Sequence, residues 1–130
     1  MSDPLEGLVV EGDEALRAKL AAALQGRVGL EPANDAIHIL STKGNARERV
    51  VSALLGRQAL ALYRGVAAVG LLPKEIAELT GVAPGTVRPT LMHLATDRIV
   101  AADDQNRYTV PNVQLDRAIA IVAGSVEEAA

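Results

Sequence analysis

Residues 71 to 111 read LLPKEIAELTGVAPGTVRPTLMHLATDRIVAADDQNRYTVP, and the fold turns on how this stretch divides. Pro73 suits the first position of a helix, where a missing N–H costs nothing, and Gly81 suits its end. Between them Lys74 and Glu75 face outward and Ile76, Ala77 and Leu79 inward. Gly81-Val82-Ala83 makes a tight turn with Val82 as an apolar plug, and from Pro84 onward Val87, Leu91 and Leu94 recur at helical spacing. Ile99-Val100 and Arg107 to Val110 are short β-prone runs on either side of Asp103-Asp-Gln-Asn106, a polar turn-forming tetrad. The stretch is therefore predicted to be helix, glycine turn, helix and two-stranded hairpin.

The pattern KEIAELTGVAPGTVRPTLMHLATDRIV followed by RYTVPN resembles the winged helix-turn-helix superfamily of DNA-binding domains. The resemblance implies a mainly α fold, here with an added N-terminal α(/β) segment and a C-terminal helix. It also implies a small transcriptional regulator that binds double-stranded DNA with the second helix and acts as a homodimer through an appended helix. The alternative is a winged-helix protein–protein interaction module in a larger assembly.

The whole sequence is 49% hydrophobic but only 2% aromatic, so Ala, Leu, Val and Ile must build the core, which favours closely packed helices. With no cysteine, disulfides, thiol nucleophiles and thiolate metal sites are excluded, and two distant histidines offer little to a metal. No nucleophile and base stand at a telling spacing, so no catalytic residue and no cofactor is expected. The opening MSDPLEGL lacks a basic region and an apolar run, and no segment approaches membrane-spanning length, so a cytoplasmic protein is expected. A net charge of −3 weighs against a simple DNA binder, but the distribution is uneven. Residues 1 to 35 carry three basic and seven acidic side chains, whereas Lys43, Arg47, Arg49, Arg57 and Arg64 face only Glu48 in their segment.

Along the chain, residues 1 to 42 form an N-terminal extension or subdomain. In it Leu8-Val9-Val10 suggests a short strand, and Asp13 caps a helix with Leu16, Leu20 and Leu24 inward and Gly26 at its end. Leu30 to Asp35 reads as loop and Ile37 to Leu40 as a brief apolar run, strand or helix at that length, with strand preferred. Residues 43 to 123 form the winged domain. Asn45 with Glu48 resembles a capping box for a helix from Ala46 to Tyr63 or as far as Val69. Its inward face carries Val51, Leu55, Ala59, Leu62 and Val66; Arg49, Arg57 and Arg64 lie opposite. Gly56 costs about 1 kcal/mol inside a helix, so close packing against a neighbouring helix is expected there. Val69 to Leu72 is a connector. Asn112 caps a last helix with Leu115, Ala118, Ile119 and Val122 on one side, which packs on the first helix or on a second copy. Residues 124 to 130 are expected to fray.

A DNA reader would carry its contacts on the outer face of the second helix: Pro84, Gly85, Arg88, Pro89 and Met92, with Thr86, Thr90 and His93 at the margins. Arg88 is the strong base or phosphate donor of the set. Pro89 falls in the first turn if regular helix starts at Thr86, so an irregular start is expected between Ala83 and Pro89. The DNA-contacting set is then Lys43, Arg57, Arg64, Thr86, Arg88, Thr90, His93 and Arg107. Each has a plain reading beside it: Arg49, Arg57 and Arg64 as a solvated helix face, Thr42-Lys43-Gly44-Asn45 as a turn and cap, Asp103 and Asp104 as a solvated turn. The smooth surface of Pro84, Gly85, Pro89 and Met92 suits a protein partner equally well.

Overall fold

The computed structural model describes residues 13–41 and 43–129, with side chains for 14–41 and 43–123. The suggested strand at Leu8 to Val10, the cap at Asp13 and the side chains of the last seven residues lie outside that set. Among the described residues the chain is mainly α, with α1 (Asp13–Leu24), α2 (Ala46–Arg64), α3 (Pro73–Thr80), α4 (Pro84–Thr96) and α5 (Leu115–Ala129). Two antiparallel hairpins interrupt them, β1 (Val28–Glu31) with β2 (Ala36–Ile39), and β3 (Ala101–Ala102) with β4 (Tyr108–Thr109).

α2 is the axis of the packing. Val50, Val51, Ala53, Leu54, Leu55, Leu60 and Ala61 are all buried, so this helix is covered on nearly every side rather than along one stripe. It touches α1, α3, α4 and α5 and both strands of the first hairpin. Leu16, Leu20 and Leu24 of α1, Ile76 of α3, Val87, Leu91 and Leu94 of α4, and Leu115, Ala118 and Val122 of α5 join it in one cluster. Asn45 caps its start, its Oδ1 accepting the Glu48 N–H at 2.9 Å, and Gly65 ends it in the left-handed region with φ of 70°. Val66, expected on the inward face, therefore lies beyond the helix and is 54% exposed.

Gly56 is tolerated for a reason other than the one expected. A Cβ there would stand 2.8 Å from Val28 Cγ1 and 3.3 Å from Ile37 Cδ1, so the close neighbour is the β1–β2 hairpin, not a helix. The hairpin itself corrects the loop expected from Leu30: Val28 pairs with Ile39 and Glu31 with Ala36, and Pro32–Asn34 form the 3-10 turn between them. Val-Gly-Leu-Glu has little strand preference alone. Pairing with Ala36–Ile39 and packing on α2 decide its conformation.

α3 starts at Pro73, and the Glu75 carboxylate accepts the Leu72 N–H at 2.9 Å. Gly81 closes it with φ of 73°, Val82 is buried in the turn, and the Arg49 guanidinium donates to the Thr80 carbonyl, supplying a cation at a helix end that has none of its own. α4 begins at Pro84, two residues before the expected start, so Pro89 is an interior residue and the Gly85 carbonyl loses its usual donor. The first turn is tightened, with both Thr86 N–H and Val87 N–H donating to the Ala83 carbonyl, at 2.8 and 3.0 Å.

The end of α4 is a Schellman closure: Ile99 N–H donates to Leu94 O at 2.9 Å and Arg98 N–H to Ala95 O at 3.0 Å. Arg98 takes φ of 62°, the position usually given to glycine, at a cost of about 1 kcal/mol. Ile99 and Val100, expected as strand, are each 3% exposed and belong to the core. Their apolar side chains are drawn inward by the closure, and pairing starts only at Ala101 with Thr109.

Asn112 does not cap the last helix. Pro111 and a 3-10 turn, Asn112–Gln114, lead into α5, and the Asn112 side-chain Oδ1 instead accepts from Gln58 Nε2 at 2.5 Å. α5 packs back on α1 and α2, burying Leu115, Ala118 and Val122 against them. The helix runs to Ala129, and the fraying expected of residues 124 to 130 falls on residues whose side chains lie outside the described set.

Candidate functional site

The outer face of α4 is open from end to end. Pro84, Gly85, Thr86, Arg88, Pro89 and His93 are exposed, and Met92 is 66% exposed. No acidic residue occurs from Pro84 to Thr96. Thr90 is half-buried and donates its hydroxyl to the Thr86 carbonyl at 2.7 Å, which leaves its oxygen free to accept. Arg88, Pro84 and Val82 form one wall of a groove whose other wall is Lys74, Ala77 and Glu78 of α3. Lys74 and Arg88 thus flank the groove, and Glu78 of α3 lines it with them.

That hairpin carries a negative tip. Asp103 Oδ1 accepts the N–H groups of Gln105 and Arg107, each at 2.9 Å, and Asp103 N–H donates to Arg107 O at 2.9 Å. Asp103 is therefore bound into its turn, whereas Asp104 is a free exposed acid. Arg107 folds back, its Nη1 donating to Gln105 Oε1 at 2.6 Å, and lines a groove with Glu75 and Glu78. It does not extend the positive surface of Arg88.

The basic residues of α2 are not one track. Lys43 is exposed just before the helix and Arg64 ends it, roughly 28 Å away along a helix of this length. Arg57 binds Asp35 with Nη1 at 3.1 Å and Nη2 at 3.3 Å, and Arg64 Nη1 reaches the same carboxylate at 2.5 Å. The two arginines, expected from sequence among the DNA contacts, fasten the tip of the first hairpin to α2. The hydrogen bond from Arg57, with the charges of Arg57 and Arg64, holds the Asp35 carboxyl below the ordinary carboxylate range. At the N-terminus of α2 a Glu48 carboxylate oxygen fills the space a side chain on Gly44 would need, so the protein's own acid occupies the mouth of that turn.

His38 meets Glu31 Oε1 at 2.5 Å on the surface of the first hairpin, and the hydrogen bond from His38 lowers the Glu31 pKa. Among the described residues no three His, Cys, Asp or Glu side chains are grouped to hold a metal, and no helix is long and apolar enough to cross a membrane.

Sequence reasoning missed a basic cluster at the far end of α4. Arg47 Nη2 lies 3.5 Å from Asp97 Oδ2, Arg117 Nη1 donates to Asp97 O at 2.9 Å, and Arg98 follows directly in the chain. The signal was present in Asp97-Arg98, where a helix closure usually carries glycine, but Arg47 and Arg117 meet it only through the fold. Comparison of the chain with protein-family models, with curated proteins and with solved structures finds no match.

Proposed function

We propose that the chain is a winged helix-turn-helix protein that binds double-stranded DNA through the outer face of α4, as a small cytoplasmic transcriptional regulator acting as a homodimer. The observation that carries the reading is the exposed face from Pro84 to His93, free of acid, with Arg88 and Lys74 on either side of the α3–α4 groove. A helix presented this way fits a major groove about 12 Å wide, with Arg88 able to fork onto guanine O6 and N7. The Pro84-Gly85 start, with nothing within 4 Å of the Gly85 Cβ position, leaves room for a phosphate backbone to come close. The β3–β4 hairpin contributes little to binding in this reading, because Asp104 repels phosphate and Arg107 is turned toward Gln105.

A second reading, a winged module that docks another protein, is favoured by the same acidic tip and by the exposure of Met92, since a weakly charged apolar patch suits a protein interface. Fluorescence anisotropy of a labelled duplex over 50 to 200 mM salt separates the two. DNA binding requires a steep loss of affinity with salt and a loss of at least about 1 kcal/mol for Arg88→Ala. Absence of binding at the lowest salt gives the protein-docking reading the field. Sedimentation velocity on the same samples tests the homodimer.

A further inference from the structure

The cluster at the C-terminal end of α4 is not explained by stability. Arg98 stands where glycine would be less strained, its side chain is exposed, and no hydrogen bond or ion pair ties that side chain to another described residue. Beside it Arg47 approaches the Asp97 carboxylate and Arg117 donates to the Asp97 backbone carbonyl, and Arg98 is the next residue in the chain, so three arginines meet at this end of the helix. The cluster is continuous with the face of α4 already described, because Pro89, His93 and Asp97 follow one another at four-residue spacing along the helix. From Arg88 to Asp97 the helix rises about 14 Å, slightly more than the width of a major groove. A helix seated with its outer face in the groove therefore brings the end that carries Arg98 to the rim, where the phosphates are.

We propose that Arg98, flanked by Arg47 and Arg117, is a sequence-independent phosphate contact that holds duplex DNA at the C-terminal end of α4. The proposal rests on the DNA reading of α4 and adds the division of labour: Arg88 for bases, Arg98 for backbone. Asp97 does not defeat it, since its carboxylate faces Arg47 and its carbonyl is taken by Arg117.

The test uses the full chain and two 20-base-pair duplexes of unrelated sequence. Arg98→Gly removes the charge and relieves the left-handed backbone, so affinity and stability move in opposite directions. Binding weakens about threefold on both duplexes alike, the slope of log K against log salt becomes shallower by about 0.9, and the melting temperature rises by about 4 °C. Arg98→Asn, neutral and tolerant of the same backbone, repeats the loss of binding, and Arg98→Lys restores the slope. If Arg98→Gly leaves affinity and slope unchanged while Arg88→Ala weakens binding, the phosphate contact is overturned and the DNA reading stands. If the unmodified protein binds neither duplex at 50 mM salt, both fall together.

Discussion

Leu71 and Tyr108 exchange a pair of backbone hydrogen bonds, Leu71 N–H to Tyr108 O at 3.0 Å and Tyr108 N–H to Leu71 O at 2.8 Å. The segment before α3 is thereby a third line of the second hairpin, and the orientation of α3 and α4 is coupled to that sheet rather than left to a loose connector. Gly70 makes this possible: a Cβ at that position would stand 2.7 Å from Tyr108 O and 2.9 Å from Tyr108 N. Both are backbone atoms and cannot step aside.

Gly70→Ala is therefore expected to destabilise the protein by roughly 1–3 kcal/mol, the usual cost of forcing atoms into a filled space. Chemical denaturation measures it. A change below about 0.5 kcal/mol would mean that the hairpin can shift away at little cost.

Gly56→Ala sets two effects against each other. Alanine gains about 1 kcal/mol of helical preference over glycine, but its methyl must displace Val28, whose branched side chain has few alternatives. With Val28 Cγ1 only 2.8 Å from the new Cβ, the steric cost wins and stability falls by about 1 kcal/mol. Adding Val28→Ala should make the two changes non-additive in the favourable direction, which a double-mutant cycle will read.

The Asp35 carboxylate has a depressed pKa in the folded chain, first through its hydrogen bond from Arg57. Its contribution is thus present above the ordinary value of 3.8 and is lost as pH falls through the lower, folded value. Asp35→Asn should lower the melting temperature at pH 7, and the gap between variant and parent should close as pH is taken below 3.8. A gap that is constant from pH 7 to pH 2.5 would show that the charge is irrelevant.

Asp103 and Asp104, adjacent and both acidic, should behave differently. Asp103→Ala removes the acceptor of two turn N–H groups and should cost about 1 kcal/mol, with Asp103→Asn retaining most of it. Asp104→Ala should leave stability within about 0.5 kcal/mol. Thermal melts of the three variants side by side check the assignment.

Much of the fold is legible along the chain because it is local. Gly81 and Val82 between two apolar stripes, Asn45 three residues before Glu48, and Asp103 at the head of a polar tetrad each state their conformation through neighbours in sequence. The outer face of α4 is legible for the same reason: once Val87, Leu91 and Leu94 are inward, Arg88 and Met92 have only the other side.

What spacing alone leaves undecided involves partners far apart in the chain. Arg57 and Arg64 look like a free stripe until Asp35, more than twenty residues away, is brought over them by the first hairpin. Asn112 looks like a cap until Gln58 claims its side chain, and Arg47, Arg98 and Arg117 become a cluster only where α2, α4 and α5 converge. The sequence by itself determined the helices, the inward stripes of α1 and α4 and the glycine turn between α3 and α4, because periodicity and capping act within a few residues. Tertiary structure decided which charges are spent on other parts of the chain and which still face solvent, because an ion pair depends on distance in space and a charge has no periodicity to announce its partner.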